Sequence, residues 1–513
     1  MQNLSTSHSA RRRIAILGAG PGGLAAGRWL LEAGLDPVIF EASADIGGQW
    51  NLSVPGNGTW PEMRTNTSRA MTCFSDLDYS EGTQVFPRVT QVQSYLRDYA
   101  ARFGLDGRIR SDHRVTSLRR EGDGWLLTAE THAGLYRGQF DQVIIATGRH
   151  RDPLMPEIPG LSEFSGRLGV RHAREYCGTE PRRGSRVMVA GCSISALEIA
   201  SELAQGAASE VILSARRMRY VLPKLVAGVP TDHLMFTRAA ARAMEILQPE
   251  QCMAAFASRI RALAGNPALS GAMAADDDVL AAGISQSQGF LSAVAEGRIE
   301  TRPWISLIEG KRVTFTDQTV REVDGIILGT GYGIALPFLD DPVRAVLGLD
   351  ADGRGTGLRL HAHSFHPDLP GLAFLGLYDL VGPYFPVLEL QARWIARCLA
   401  GHANRNGTMP AWGTMAADIS GPIPEGPIPM QVAALDFARR LGAEPELGDR
   451  PRLARLLAFG PLAAVGFRLD GPDRLTDAET RLRRLATAFD ETMLSGADEA
   501  LLAGLQDVPS DAA

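Results

Sequence analysis

The chain has 513 residues, 45% hydrophobic and 21% charged, with a formal net charge of −6. That length exceeds one ordinary domain and implies two or three packed units, while the small, mixed charge excludes the broad basic field of a nucleic-acid binder. The sequence has no signal-like apolar stretch near its start and no run of about 18 apolar residues, so secretion and membrane spanning are not expected.

The first element follows a lead-in of Arg11, Arg12 and Arg13, read as solvated. In IAILGAGPGGLAAGRWLLEAGLDPVIFE, residues 14–17 are a short buried-type strand, residues 24–33 are helical, and residues 37–40 form a second strand closed by Glu41. Gly18, Gly20 and Gly23 supply G-x-G-x-x-G, with Pro21 and Gly22 in the same turn. Such glycines let a pyrophosphate approach a helix N-terminus, where free N–H groups and the helix dipole favour negative charge. Glu41 is placed to accept hydrogen bonds from ribose hydroxyls. The unit is expected to bind a dinucleotide.

Two further apolar strands, in 141–150 and 324–338, end in Thr-Gly, as expected of a chain passing between two nucleotide-binding domains. Between them, SRVMVAGCSISALEIASELAQGAASEVILSARR repeats the first unit's grammar: strand 186–190, turn 191–196, helix 197–204, strand 211–214. Gly191 keeps the first glycine, while Ser193 replaces the second and Ala196 the third, with Ser195 in the same turn. Both replacements are small, and a serine hydroxyl can donate to a phosphate. The second strand ends in Ser214, Ala215, Arg216 and Arg217, where the first unit has an acid. Guanidinium groups suit a 2′-phosphate, so NADPH is the expected ligand; two solvated arginines are the alternative.

Residues 301–323 alternate like an antiparallel meander that would close the second unit. From about residue 410, Pro/Gly-rich loops alternate with helical stretches (LDFARRL, RPRLARLLAF, AETRLRRLATAF) and end in a polar tail. Five cysteines, at 73, 177, 192, 252 and 398, form no C-x-x-C pair, which argues against a redox dithiol or zinc site and fits a reducing cytoplasm.

The series G-A-G-P-G-G at 18–23, G-G-Q-W at 47–50, MRTNTSRAMTCFSDLDY at 63–79, FPRVTQVQSYLRDYAARFGL at 86–105, A-T-G at 146–148, T-G-Y at 330–332 and PVLELQARW at 386–394 resembles the flavin-containing monooxygenases over nearly the whole chain. The resemblance implies an α/β protein with two Rossmann-like domains, the NADPH domain inserted in the FAD domain. The FAD domain would comprise residues 1–180 and 324–410, the NADPH domain with a helical insertion 181–323, and a helical C-terminal region 411–513. It further implies that NADPH reduces FAD and that the reduced flavin takes up O2 as a C4a-(hydro)peroxide, which the protein orients and shelters. By the same resemblance Asn66, after Thr65, lies beside the flavin and retained NADP⁺, where its amide can hydrogen-bond the peroxide without acting as a strong acid. Gln49, Trp50, Thr65, Thr67 and Gln391 are expected to touch FAD. Read without the resemblance, TNTS is also good loop chemistry.

One departure stands out. The family pattern F-x-G-x-x-x-H-x-x-x-(Y/F/W) is met by Phe164, Gly166, His172 and Tyr176 with two extra residues before the histidine, so a bulged linker is expected and His172 is either structural or functional. His361, His363 and His366 have metal-like spacing, but this chemistry needs no metal; Asp276, Asp277 and Asp278 read as a solvated face. The expected reaction is oxygenation of a nitrogen or sulfur nucleophile in a small molecule, with Baeyer–Villiger oxidation of a ketone as the alternative. A disulfide reductase would need a paired dithiol near the flavin. No nucleic-acid partner is expected, and homo-oligomerisation stays open.

Overall fold

The computed structural model describes residues 12–206, 208–401 and 426–486. Two five-stranded parallel sheets of matching plan dominate it. In the first, Arg13–Leu17 is central, between Asp36–Phe40 and Gln142–Ile145, with Ile109–Arg110 and Leu372–Phe374 at the edges. In the second, Arg186–Ala190 is central, between Glu210–Ser214 and Gly325–Leu328, with Glu300–Arg302 and Gly169–His172 at the edges. The central strands are apolar and buried beyond their first residue, as strands covered on both faces must be.

Each central strand runs into a helix, Pro21–Glu32 or Ile194–Ala204. Both helices begin three residues before the expected 24 and 197, because Pro21 occupies the first turn of one and Ser193 caps the other. Each sheet also has an antiparallel three-stranded companion: Arg114–Glu121, Gly124–Thr131 and Gly134–Phe140 beside the first, Ile305–Glu309, Arg312–Phe315 and Val320–Glu322 beside the second. The latter is the meander anticipated at 301–323.

The second sheet extends beyond the 181–323 range expected for its domain. Gly325–Leu328 pairs with the central strand, Val187 opposite Gly325, and Gly169–His172 pairs outside it, Gly325 opposite Gly169. The strand expected to begin the return to the first domain is thus an inner strand of the second sheet. The chain re-enters the first sheet at Leu372–Phe374.

Helices Thr231–Met235, Arg238–Ile246 and Pro249–Ala264 fill the insertion between Glu210–Ser214 and Glu300–Arg302. At the C-terminal end, Met430–Leu441, Ala454–Phe459 and Ala478–Leu485 take up the three helical stretches anticipated there. They extend the apolar core that joins Pro21–Glu32 to Phe385–Ala400. A buried ionic cluster ties this region to the residues around Asp76 and to Phe385–Ala400: Arg468 lies 3.6 Å from both Asp76 and Glu389, and Arg393 bonds Asp473 at 2.7 Å. The guanidinium groups of Arg28, Arg393 and Arg468 pack at 4.3, 5.0 and 4.9 Å from the Trp29 ring. Arg11, the Pro/Gly-rich stretch 402–425 and the polar tail from 487 lie outside the described residues. Among the described residues no helix is long and apolar enough to cross a membrane.

Candidate nucleotide sites and catalytic loop

At the first strand-to-helix turn, Gly18 has φ +106° and donates its N–H to Phe40 O at 2.8 Å. Glycine is required there and at Gly23, where a Cβ would sit 1.8 Å from Gly18 O. Gly22 faces Leu375, whose side chain would lie 2.6 Å from an added Cβ. Gly20 differs: an added Cβ would meet Gly48 Cα at 3.5 Å, an ordinary contact, so the protein itself does not require glycine there. Pro21 opens a helix with no side-chain cap and no acid in its first turn, which leaves its N–H groups to an anion. The G-G-Q-W loop folds back onto this turn through Gly47 N–H and Ala19 O at 3.0 Å, placing Gln49 half-buried and Trp50 in the core.

Glu41 is held rigidly. Its Oε2 accepts Ala19 N–H at 2.9 Å, and its Oε1 accepts the N–H and hydroxyl of Ser43 at 2.9 and 2.7 Å. Beside Gly18, the hydroxyl of Thr147 is buried without a hydrogen-bond partner among the described residues. A glycine turn, an uncapped helix end, a fixed acid and an orphaned hydroxyl suit the diphosphate and ribose groups of FAD.

In the second turn, Gly191 has φ +129° and a Cβ there would meet Gly329 O at 2.3 Å. Ala196 is tolerated because its neighbour is Gly329, where a Cβ would lie 2.7 Å from that of Ala196. In the first unit the helix has glycine and the adjacent strand end has Ala146; here the bulk is exchanged. Two expectations need correction. Ser193 Oγ accepts Ala196 N–H at 3.4 Å and donates to Gly329 O at 3.1 Å, so the hydroxyl serves the turn itself rather than a phosphate. Ser214 is fully buried and donates to Pro303 O at 2.8 Å, which makes it a support of the strand end, not a ribose contact. Ser195 is half-buried in the first helical turn. Arg216 and Arg217 are exposed at the strand end; the Arg216 guanidinium carbon lies over the Trp304 ring at 4.8 Å and Arg217 donates to Ala281 O at 2.9 Å.

Nearly every polar group bracketing Asn66 is spoken for. Thr65 N–H donates to Pro87 O at 2.9 Å, Thr65 Oγ1 to Thr67 O at 2.7 Å, and the hydroxyls of Thr67 and Thr72 meet at 2.8 Å. Ser68 N–H donates to Asp232 Oδ2 at 2.6 Å. Asn66 Oδ1, by contrast, is buried with no hydrogen-bond partner among the described residues. An amide serving its own loop would be bonded to it, so this orphan weighs against the loop-chemistry reading.

Gln391 is also placed differently from the expectation. It is fully buried; its Nε2 donates to His363 O, Ser364 Oγ and Phe374 O at 3.1, 2.8 and 3.2 Å, and its Oε1 accepts Gly376 N–H at 3.0 Å. With these bonds made, its amide organises the 363–376 loops.

The two extra linker residues are absorbed by a turn in which Gly169, with φ +65°, donates to Gly166 O at 2.9 Å. His172 then closes the edge strand, its Nδ1 accepting Arg174 N–H at 3.1 Å and its ring 5.2 Å from Tyr332. Burial lowers its pKa, and a backbone hydrogen bond with Gly331 opposes that shift. Tyr176 packs against Trp60 at 5.1 Å and donates to Glu202 at 3.1 Å. His363 stacks on Tyr378, His361 lies tilted against Trp394, and Asp276, Asp277 and Asp278 are exposed. Lys224, Asp232 and His233, which grip the Asn66 loop, had no signal in the sequence because no fixed spacing links them to it.

The flavin-binding monooxygenase-like family model matches residues 11–426. The chain is similar to dimethylaniline monooxygenase 2 (N-oxide-forming) of Rattus norvegicus, 29% identical over 502 residues that cover 92% of this chain and 91% of that one. Its fold is similar to that of S-allyl-L-cysteine S-oxygenase from Allium sativum, with TM-score 0.59, 21% identity and coverage of 97% and 98% of the two chains. It is also similar to ε-caprolactone-bound cyclohexanone monooxygenase, with TM-score 0.59, 17% identity and coverage of 84% and 97%. With two dinucleotide turns built as above and a family match over most of its length, the chain belongs to the flavin-binding monooxygenase-like family and is a monooxygenase using FAD, NADPH and O2.

Proposed function

We propose that the protein oxygenates the nitrogen or sulfur of a small soft nucleophile, with FAD at the first turn, NADPH at the second and Asn66 at the reacting end. The observation that carries this reading is the buried Asn66 Oδ1, which has no hydrogen-bond partner among the described residues although Thr65 and Ser68 on either side of it are bonded. FAD supplies the oxygen chemistry and NADPH the hydride. Glu41, Gly20 and the end of Pro21–Glu32 would hold FAD, with Gln49, Trp50, Thr65 and Thr67 lining its inner end. Gly191, Ser195, Ala196, Arg216 and Arg217 would hold NADPH. Asn66 would act through both ends of its amide, Oδ1 accepting a hydrogen bond from a bound group and Nδ2–H donating where negative charge is exposed during oxygen transfer.

The N-oxide-forming name of the rat relative supports a nitrogen nucleophile, and the garlic protein's name supports sulfur. Five free cysteines support a reducing cytoplasm as its place of action. Asn66→Ala should retain FAD and its reduction by NADPH but lose oxygenated product about 10²- to 10³-fold, with hydrogen peroxide released instead. Mass spectrometry over amines, sulfides and ketones tests the substrate class. Turnover of ketones alone would refute the soft-nucleophile reading, and wild-type product yield in Asn66→Ala would refute the role of Asn66.

A further inference from the structure

The loop carrying Asn66 is held from outside its own sheet. In the insertion, a short hairpin pairs Leu225–Val226 with Val229–Pro230, and three polar side chains flanking it end on the loop. Asp232 Oδ2 accepts Ser68 N–H at 2.6 Å, and His233 Nε2 lies 2.9 Å from Ser68 Oγ. Lys224 Nζ lies 3.5 Å from Thr65 O and 2.8 Å from Glu198 Oε2. Thr65 and Ser68 bracket Asn66, while Glu198 belongs to the helix Ile194–Ala204 that begins at the coenzyme turn. The flanks of one hairpin therefore touch both sides of Asn66 and the coenzyme helix.

We infer that Asp232, with His233 and Lys224, is a positioning residue for Asn66 and sets its amide relative to the coenzyme helix. The inference rests on Asn66 acting at the reacting end. Asp232 is 3% exposed, and its Oδ1 has no hydrogen-bond partner among the described residues, with His233 Nε2 4.0 Å away. Burial raises its pKa to about 6, so this carboxylate is costly to keep here. A carbonyl would satisfy Ser68 N–H more cheaply; an ionised acceptor makes a shorter bond, roughly twice as strong, which suits holding a loop in one place. The grip is itself braced. Thr231 N–H donates to Lys224 O at 2.9 Å, Thr231 Oγ1 to Pro223 O at 2.5 Å, and the N–H groups of Lys224 and Leu225 to Gln288 Oε1 at 2.9 and 3.0 Å.

The test uses full-length holoenzyme carrying Asp232→Ala, Asp232→Asn, Asn66→Ala, or Asp232→Ala with Asn66→Ala. Three quantities are read: amide hydrogen exchange over residues 63–72, the rate of flavin reduction by NADPH, and hydrogen peroxide formed per NADPH oxidised. In Asp232→Ala, exchange of this loop should rise about tenfold or more and peroxide should approach the Asn66→Ala level, with flavin reduction changed less than about twofold. Asp232→Asn, whose amide oxygen still accepts Ser68 N–H through a weaker neutral bond, should recover protection and coupling in part, falling between Asp232→Ala and wild type. The double variant should be no more uncoupled than Asn66→Ala. Wild-type exchange and coupling in Asp232→Ala, or uncoupling that multiplies with that of Asn66→Ala, overturns the inference. If Asp232→Ala does not fold, Lys224→Gln carries the test: raised loop exchange with flavin reduction retained supports it, and wild-type exchange overturns it. Wild-type coupling in Asn66→Ala defeats the underlying reading, whereas uncoupling there without any in Asp232→Ala defeats the positioning role alone.

Discussion

Gly20 and Gly23 occupy one turn, yet alanine should fail at them for different reasons. A Cβ at Gly23 would lie 1.8 Å from Gly18 O, where 3.0 Å is already shorter than real contacts allow, so helix and strand end must separate by more than an ångström. That is backbone against backbone, and the cost belongs at or beyond the top of the roughly 1–3 kcal/mol range for overpacking. Gly20 has φ −77° and its added Cβ would meet nothing closer than 3.5 Å, so alanine fits the protein there. What it should obstruct is the ligand: losing one charge-assisted contact to the diphosphate, about 1.5–3 kcal/mol, weakens FAD about 10- to 150-fold. Calorimetric titration of FAD into deflavinated protein and thermal midpoints without added FAD separate the two effects. Gly20→Ala should keep the wild-type midpoint and lose affinity, whereas Gly23→Ala should lose the midpoint itself. Wild-type FAD affinity in Gly20→Ala would show that the diphosphate does not lie over this turn, and a wild-type midpoint in Gly23→Ala would refute the packing argument.

Arg216→Ala and Arg217→Ala should each weaken NADPH about 10- to 150-fold while sparing NADH, read as KM for the two coenzymes; equal losses would place the arginines away from a 2′-phosphate. Burial raises Asp232 to about 6 and lowers His233 to about 4. Between those values and the ordinary ones the folded carboxyl binds a proton the unfolded one has lost, so Asp232 makes stability fall as pH rises from about 4 to 6. His233 stays neutral when folded while its unfolded form is protonated, so it makes stability rise from about 4 to 6.5, and the two slopes oppose. Relative to wild type, Asp232→Asn should therefore gain and His233→Gln lose roughly 3 kcal/mol of stability across that window as pH rises, measured by urea unfolding; parallel pH profiles for all three proteins would contradict the assignment. Arg468→Met should cost about 3–5 kcal/mol because it leaves Glu389 and Asp76 buried without that partner, read as urea midpoint; a change under about 1 kcal/mol would mean that Arg28 and Arg393 suffice.

What could be read from the sequence is what neighbouring residues determine. Apolar runs that end in glycine mark the two central strands, small residues after them mark the turns, and alternation marks the 301–323 meander, because strand period and positive φ are properties of a few consecutive positions. The order of the motifs then carried the family. Sheet membership was decided by pairing across distance: Gly169–His172 and Gly325–Leu328 join the second sheet because they find partners there, which no local pattern states. The same holds for polar atoms. Ser193, Ser214 and Gln391 carry the right chemistry for a ligand, but the fold consumes their hydrogen bonds on Gly329, Pro303 and the 363–376 loops. Asp232 has no motif around it, yet it meets Ser68 across 164 residues of sequence. A side chain's composition sets what it can bond; which partner it meets depends on where the whole core brings it, and that is settled only by tertiary packing.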